Sequence, residues 1–439
     1  MSMYDLSIIG AGWAGFNAVF RAKQLGLKVC LIEGNQIGGT CLNRGCIPTK
    51  ALIQSAKIYS LAKKSSVFGI ESDNPRLNFN KIQERKDKII KLLKLGMQSR
   101  LVGIDFINSY AEIISANEIK TSNEVIKSKF ILIATGSQPA VIPELAFDHI
   151  KVINSDDILS LTEIPQSLLV IGGGVIGCEF ASLFSILGSQ VSVIEKMPFI
   201  LPNEDKEVGR KMGVIFKKNG VNVSVNTDVL NIDLNQYSKI LVCVGRTPNV
   251  AGLGLEKLGV ALESGRVVVN DYLETSIPNI YASGDCASRV MLAHYAAYQG
   301  EIAVGNMVSK LKSKADNTVI PSCIFTDPEI ASVGLNEDQA LKTQIAIKVH
   351  KFDFLRSGMA RIMEESEGFI KVISDDKSQE IIGATIIGPK ATELIAVFCV
   401  AVSAHLKVNQ LRDIIFAHPT LSESIGEAMC NSISGTPRL

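Results

Sequence analysis

The sequence has no strongly basic tract and no long hydrophobic run. Its 45 Lys and Arg residues against 44 Asp and Glu residues give a net charge of +1, which argues against a nucleic-acid partner. The most apolar stretch without a charge, residues 394–404, is too short to cross a bilayer. A strand predicted to start by about Tyr4 leaves no room for a signal peptide. We therefore expect a cytoplasmic protein without membrane insertion, although a mitochondrial matrix protein after presequence removal would look alike.

Cysteines are few and mostly isolated. Nine are spread over 439 residues, and only Cys41 and Cys46 form a close pair, so the spacing of a disulfide framework is absent. This distribution is typical of a reducing compartment, where disulfides are usually catalytic. On spacing alone, a stapling disulfide or two unrelated buried thiols are the alternatives for the pair. We predict no metal site.

One pattern of strand, glycine-rich turn, helix and strand occurs twice. The first copy ends at Glu33 and the second at Glu195, about 20 positions after their respective turns, which is the context of a dinucleotide fingerprint. A single fingerprint could be packing glycines, but two complete copies indicate two nucleotides. The fingerprint glycines are Gly10, Gly12 and Gly15 in the first copy and Gly172, Gly174 and Gly177 in the second.

These residue types suit phosphate and ribose binding. The glycines let a pyrophosphate approach the helix N-terminus, and the terminal glutamate reaches a ribose diol. Because a carboxylate repels a 2′-phosphate, Glu195 predicts NAD rather than NADP, although Lys196 is a cation beside it. The cysteine pair between the two fingerprints indicates a flavin that meets the disulfide and a nicotinamide that meets the flavin.

The segment around the cysteine pair resembles a known family. Residues 38–50 read Gly-Gly-Thr-Cys-Leu-Asn-Arg-Gly-Cys-Ile-Pro-Thr-Lys. This run is similar to the redox-active disulfide of the pyridine nucleotide–disulfide oxidoreductases, and most similar to the branch that oxidises protein-bound dihydrolipoamide. The resemblance extends over essentially the whole chain.

The resemblance implies the fold and the cofactors. It predicts an α/β chain with two Rossmann-like dinucleotide-binding domains plus a C-terminal α+β dimerisation domain, with FAD and NAD as cofactors. In the C-terminal domain, strands are predicted at residues 369–373 and 381–387 and an amphipathic helix at 393–405. The expected divisions are 1–145 and 249–318 for the two parts of the FAD-binding domain, 146–248 for the NAD-binding domain and 319–439 for dimerisation.

The resemblance also implies roles for single residues. Cys46 would face the flavin as the charge-transfer thiolate, and Cys41 would be the interchange thiol that meets the substrate. A helix predicted after Cys46 would place the pair at its N-terminus, where a thiol pKa falls. Lys50 and Glu179 match an ion pair beside the reactive flavin edge; the alternative is a surface salt bridge with sequence neighbours. Further cofactor contacts are implied at Gly39, Thr40, Gly136, Asp285, Ala293 and Gly245.

A proton acceptor is needed for the substrate thiol. Residues 416–423 match the acid–base segment of the family, in which His418 would shuttle the proton and Glu423 would orient its ring. The alternative is a capping box from Thr420 to Glu423, and both interpretations can hold for Thr420. In the family this segment reaches the disulfide of the other subunit, which implies a homodimer. The remaining histidines, His149, His294, His350 and His405, are interpreted as structural or surface residues.

Three features depart from the family pattern. The acidic residue often found before the Leu-Val of the strand that leaves the NAD-binding domain is not evident. Residues 225–241 form a shorter segment than usual, which concerns the outer part of the NAD-binding domain and not its phosphate turn. Arg44 occupies a position that is usually apolar. There it would either favour the thiolate or be an exposed side chain without electronic effect.

The resemblance implies that a lipoyl-bearing acyltransferase of a 2-oxo acid dehydrogenase complex is the partner. Electrons would pass through the disulfide and FAD to NAD. Alternatives are an NAD(P)H-dependent reductase of a small disulfide such as mycothione or glutathione, or a mainly structural docking subunit. The cysteine pair disfavours a one-cysteine NADH oxidase or peroxidase. Cys430 has no second cysteine beside it, which disfavours a mercuric reductase.

Overall fold

Residues 3–71 and 75–433 are described by a computed structural model of the chain. The first fingerprint follows the strand Tyr4–Ile9, which pairs in parallel with Val29–Glu33 and Val125–Ile133. Its apolar residues are fully buried because helices and sheet cover both faces. The sheet order is Asp105–Asn108, Val29–Glu33, Tyr4–Ile9, Val125–Ile133, Glu118–Lys120 and Glu112–Ser115, with Ile280–Ala282 also against Val125–Ile133.

The first domain is built from two separate parts of the chain. The late strand Ile280–Ala282 joins the early sheet, and the helix Ala293–Val308 packs along Trp13–Gln24. These helices are so close that a Cβ at Gly300 would lie 2.3 Å from the Ala14 carbonyl oxygen. Only glycine fits at that position.

The second fingerprint follows a strand that belongs to a fully parallel sheet. Its strands are Asn222–Ser224, Gln190–Ile194, Ser167–Ile171, Lys239–Val242 and Val152–Ile153, in that order. The shortened segment that precedes Lys239–Val242 contains two 3-10 turns, Val229–Asn231 and Leu234–Gln236. Asp228 and Asp233 cap these turns. The shortened segment is therefore separate from the strand Ser167–Ile171 and from the phosphate turn that follows this strand, and both are intact.

The two connections between these sheets pair with each other. Ser137–Pro139, where the chain leaves the first domain, is antiparallel to Arg246–Pro248, where it leaves the second. A small hairpin, Leu262–Glu263 with Arg266–Val267, follows. The divisions expected from the sequence, after residues 145, 248 and 318, all fall between named helices and strands.

The C-terminal part is an antiparallel sheet with helices. The predicted strands are observed at Phe369–Asp375 and Ile381–Gly388, and the predicted helix at Ala391–Ser403, so these predictions are confirmed to within about two residues. The helix buries Leu394, Phe398 and other apolar residues of one face. The sheet order is Ser322–Ile324, Glu329–Gly334, Ile381–Gly388, Phe369–Asp375, Ile347–Asp353 and Ser432–Ile433.

Together these parts confirm the predicted α/β architecture with an α+β C-terminal domain. Within residues 3–71 and 75–433, none of the helices is long and apolar enough to span a membrane. The α-helices are Trp13–Gln24, Gly39–Arg44, Cys46–Lys63, Phe79–Arg100, Val175–Leu187, Lys206–Lys218, Leu255–Leu258, Ala293–Val308, Glu337–Lys342, Gly358–Ile362, Ala391–Ser403, Val408–Arg412 and Glu423–Cys430. Further 3-10 turns lie at Ser65–Phe68, Ile158–Ser160, Gly284–Cys286 and Phe354–Arg356.

Candidate active site

A cavity of about 1290 Å³ lies where the three parts of the fold meet. This volume exceeds that of a typical small-ligand pocket, which is at most about 1,000 Å³. The predicted site residues that line it are Gly10, Gly12, Glu33, Gly39, Thr40, Cys41, Cys46, Lys50, Gly136, Glu179, Asp285 and Ala293.

The first and last fingerprint glycines are required by close packing. A Cβ at Gly10, whose φ is +108°, would lie 2.3 Å from the Ala134 carbonyl oxygen, and one at Gly15 would lie 1.9 Å from Gly10. The second copy repeats these contacts at 2.5 Å for Gly172 and 2.0 Å for Gly177. Both turns are therefore built in the same way.

The middle glycines leave room for a ligand. A Cβ at Gly174 would meet no atom within 4 Å, and one at Gly12 would meet only Gly39, at 3.9 Å. Open space at the start of a helix is what a pyrophosphate needs to reach the backbone N–H groups. The residues present therefore fit a dinucleotide at each fingerprint.

The glutamate that ends each copy is fixed by two backbone N–H groups. Glu33 accepts both hydrogen bonds at 2.7 Å and Glu195 accepts both at 2.8 Å. Each carboxylate oxygen retains a lone pair for a ribose hydroxyl. The donors are Ala11 and Asn35 in the first copy and Gly173 and Met197 in the second.

The two cysteines lie on different helices. Cys41 is in Gly39–Arg44, whereas Cys46 is the first residue of Cys46–Lys63. The prediction that both lie at the start of one helix is therefore wrong for Cys41. The reason is Gly45, which separates the helices with φ −144° and ψ −115°.

The reduced pair is electrostatically unequal. The pKa of Cys46 is lowered to about 7, chiefly by the hydrogen bond from the Cys41 thiol and also by the Lys50 ammonium, against the effect of burial. The same bond, together with burial, raises the pKa of Cys41. Cys46 is therefore the thiolate and Cys41 the thiol, which supports the roles predicted for them.

Lys50 and Glu179 form an ion pair across 129 positions of sequence. Lys50 Nζ lies 2.8 and 2.7 Å from the two Glu179 oxygens. The Glu179 residue is only 3% exposed and also accepts a hydrogen bond from the Phe325 backbone N–H at 2.9 Å. The alternative of surface bridges with sequence neighbours is wrong. The pair lies in the wall of the cavity that contains the cysteines.

Asp285 is held by a network that the sequence analysis missed. The Ser137 hydroxyl donates to Asp285 at 2.5 Å, and Arg246 donates to that hydroxyl at 2.7 Å and to the Ser137 carbonyl oxygen at 2.8 Å. Burial lowers the pKa of Arg246. The signal for this network in the sequence was adjacency to predicted cofactor contacts. Ser137 directly follows Gly136, and Arg246 directly follows Gly245. Both glycines have positive φ. Gly245 is at the edge of this network and not in the cavity wall.

Arg44 is balanced by an acid. Its Nε lies 3.5 Å from Asp156, and its side chain is 43% exposed. Burial raises the pKa of Asp156, and Arg44 opposes that shift. Lys50 is the cation that lowers the pKa of Cys46. This arrangement favours the interpretation in which Arg44 has no electronic effect on the thiolate.

We expect Arg44→Val to leave the flavin absorption spectrum and its pH profile unchanged. The reason is that the Arg44 charge is compensated by Asp156, whereas Lys50 acts directly on Cys46. Anaerobic reduction followed by spectroscopy between about pH 6 and 9 covers the titration range of a thiol. Lys50→Met serves as the positive comparison, since it should weaken the thiolate signal. A loss of that signal in Arg44→Val would contradict this expectation.

His418 lies outside the cavity wall of its own chain as far as the structure describes it. Its side chain is 83% exposed, and its Nδ1 lies 2.8 Å from Glu423. A carboxylate at Nδ1 fixes the ring and leaves Nε2 for a substrate proton. The His418–Pro419 peptide bond is cis.

The capping-box interpretation of this segment is wrong. Glu423 accepts a hydrogen bond from the Thr420 backbone N–H at 2.9 Å, but the Thr420 hydroxyl donates to the Ala417 carbonyl oxygen. The helix begins at Glu423 with Ser422 as its N-cap. Glu423 therefore binds both the loop and the His418 ring.

The other histidines have different surroundings. Burial lowers the pKa of His350 to about 4, and it lowers the pKa of His294 as well. The ring of His294 is bound to the Pro321 carbonyl oxygen at 3.0 Å. His149 pairs with Asp157 at 2.9 Å and lines the cavity, which the sequence did not indicate. His405 lies 3.7 Å from Glu380 on the surface.

Comparisons with known proteins agree with this geometry. Two family models match: pyridine nucleotide-disulphide oxidoreductase over residues 4–300 and its dimerisation domain over 320–429. The chain is 39% identical to the dihydrolipoyl dehydrogenase of Chlamydia trachomatis serovar D, covering 97% of this chain and 96% of that protein. It is 36% identical to a dihydrolipoyl dehydrogenase of Bacillus subtilis, covering 97% of each.

Solved structures show the same fold. LpdA from Mycobacterium tuberculosis superposes with a TM-score of 0.90 at 26% identity, covering 97% of this chain and 98% of that one. The HOCl-induced flavoprotein disulfide reductase RclA from Escherichia coli superposes with a TM-score of 0.87 at 30% identity, covering 97% and 99%.

Proposed function

Because this chain belongs to the pyridine nucleotide-disulphide oxidoreductase family, we propose that it oxidises protein-bound dihydrolipoamide to lipoamide and reduces NAD. The observation that carries this proposal is the unequal cysteine pair beside the Lys50–Glu179 ion pair. A thiolate held next to a thiol is the product state of disulfide reduction by a dithiol.

FAD and NAD are the cofactors. The first fingerprint with Glu33, Lys50 and Asp285 would hold FAD, and the second fingerprint with Glu195 would hold NAD. When bound, FAD would supply a two-electron acceptor for the reduced cysteine pair, and NAD would supply the final acceptor of those electrons. All other steps use side chains of the protein.

The thiol chemistry follows from the positions of the two sulfurs. One substrate thiolate attacks the Cys41 sulfur, the Cys41–Cys46 bond breaks and Cys46 leaves as a thiolate. The second substrate sulfur then displaces Cys41, so that lipoamide is released and the enzyme pair retains two electrons. His418 accepts the proton of the attacking thiol, with Glu423 holding its Nδ1.

Two copies of the chain are needed for this site. The dimerisation-domain match over residues 320–429 indicates a homodimer. His418 is exposed in the single chain and would complete the site of the partner subunit. The protein partner is a lipoyl-bearing acyltransferase of a 2-oxo acid dehydrogenase complex.

Steady-state assays test the proposal directly. We expect NAD reduction by dihydrolipoamide to exceed NADH-driven reduction of mycothione or glutathione disulfide roughly 100-fold or more in kcat/KM. The reductase alternative is retained because of the likeness to RclA. Preference for a small disulfide would support that alternative instead. Absence of both activities in flavin-loaded protein would indicate a structural docking subunit.

NAD should be preferred over NADP by roughly 100-fold in kcat/KM, because like charges brought together cost several kcal/mol. Glu195 would face a 2′-phosphate, and Lys196 cannot freely compensate because it pairs with Asp228 at 2.8 Å. That pairing raises the pKa of Lys196.

A matched pair of variants checks this explanation. Asp228→Asn should release Lys196 and improve use of NADP, whereas Asp233→Asn, at the neighbouring turn, should not. Comparable kcat/KM values for NAD and NADP in the unaltered enzyme would refute the preference.

A further inference from the structure

Trp13 is the single tryptophan of the chain and begins the helix after the first fingerprint. Its indole nitrogen is buried but has no acceptor among the residues that the structure describes. A buried donor without a partner is uncommon, because its contact with water is lost and nothing replaces it. Among the residues that the structure describes, the indole N–H is therefore a donor in the cavity wall that is available to an acceptor.

A reactive group close to Trp13 is the Cys41 thiol. Trp13 and Cys41 line the same cavity. The turn before Trp13 is pressed against the segment before Cys41: the Gly38 N–H donates to the Ala11 carbonyl oxygen at 2.9 Å, and a Cβ at Gly39 would lie 2.8 Å from Gly12. Interaction with the indole lowers the pKa of Cys41.

The Cys41 thiol donates a hydrogen bond to Cys46, so the Cys41 sulfur carries no charge and is a weak acceptor for the indole. An indole is a donor only and binds an anionic sulfur more strongly than a neutral one. The contact between the indole and Cys41 would therefore strengthen when Cys41 becomes a thiolate.

We propose that the Trp13 indole N–H donates a hydrogen bond to the Cys41 sulfur during thiol interchange. This inference rests on the proposed function. In the second step, a substrate thiolate attacks the substrate sulfur of the Cys41 mixed disulfide. The bond to Cys41 breaks, and its electron pair leaves on the Cys41 sulfur, where the indole stabilises it. Cys41 then takes one of the two substrate protons and the other is released.

Trp13→Phe in the flavin-loaded enzyme is the central test, since it keeps an aromatic ring and removes the N–H. Reduction of the enzyme disulfide by dihydrolipoamide, followed by stopped flow, should slow roughly ten- to hundred-fold. Electron transfer from NADH to ferricyanide, which does not use Cys41, should be unchanged. Trp13→His, which restores a ring N–H, should recover part of the loss. Phe20→Leu, on the same helix but outside the cavity wall, is the matched control.

A second measurement needs no substrate. Iodoacetamide alkylates thiolates, and peptide mapping identifies the product at Cys41. In Trp13→Phe, the rate of Cys41 alkylation at a fixed pH should fall roughly tenfold, because the thiolate fraction of Cys41 falls. An equal alkylation rate and an equal interchange rate would overturn the proposal. If the unaltered enzyme fails to oxidise dihydrolipoamide, the proposed function fails while the alkylation rate still decides the role of Trp13.

The unaltered enzyme offers a third readout in case Trp13→Phe does not fold. All tryptophan fluorescence comes from Trp13, so its emission should change with rising pH in step with the rate of Cys41 alkylation. The same pH series in Cys41→Ser should be flat. Emission that does not follow Cys41 would overturn the proposal.

Discussion

Subunits carrying Cys41→Ser, mixed with subunits carrying His418→Gln, should recover the dihydrolipoamide oxidation that both parent homodimers lack. Loss of a general base lowers a rate by about 10²- to 10⁴-fold, and loss of Cys41 prevents interchange altogether. Among the residues that the structure describes, His418 is not part of the cavity wall of its own chain, and its side chain is 83% exposed, so we expect it to act across a subunit boundary. A heterodimer would then have one intact site and one doubly altered site.

The expected recovery is about half the unaltered rate per heterodimer, because one site of two is complete. If His418 acted within its own chain, every site would carry one lesion and activity would stay at background. Mass spectrometry must confirm the heterodimers. His405→Gln is the matched control, since His405 is also exposed and near an acid, Glu380. Its homodimer should retain full activity.

Cys46→Ser should abolish the long-wavelength thiolate–flavin band of the two-electron-reduced enzyme, whereas Cys41→Ser should keep it. Cys46 is the sulfur with the lowered pKa beside Lys50, so it is the donor of the thiolate charge. Because the pKa of Cys46 is about 7, the band should be complete well above pH 7 and fade as the pH falls through that value. Absorption spectra of the anaerobically reduced enzyme provide the measurement.

Cys430→Ser is the control for this experiment, since Cys430 is exposed in the C-terminal domain. It should leave the band unchanged. The roles of the two cysteines would be reversed if Cys46→Ser kept the band and Cys41→Ser removed it.

Much of the fold was predictable because its constraints are local. Gly15 and Gly177 are fixed by contacts with the first glycine of their own turn, so the spacing of the fingerprint locates two strand–turn–helix units. Glu33 and Glu195 end the same two units, each about 22 residues after the turn residue whose N–H it accepts. The apolar period of the helix at residues 391–403 is likewise read within a single element.

The parts that could not be predicted depend on contacts distant in sequence. Arg246 reaches Ser137 only because their short strands pair antiparallel, and no local pattern announces that pairing. Arg44 and Asp156, which both line the cavity, also meet although they are distant in sequence. The capping box failed because the helix begins at Glu423, so Thr420 is not its N-cap and its hydroxyl donates to the Ala417 carbonyl oxygen instead of accepting from a helix N–H.

Glu179 also limits how this protein can be recombined with its relatives. It receives Lys50 from the early part of the chain and the Phe325 N–H from the late part, while belonging to the middle part itself. Moving residues 146–248 into another host as a cassette would bury a carboxylate without its cation, which is strongly destabilising. A working chimera must therefore keep a lysine at position 50 and the same backbone path at residue 325. The three parts of the chain consequently have to be exchanged together.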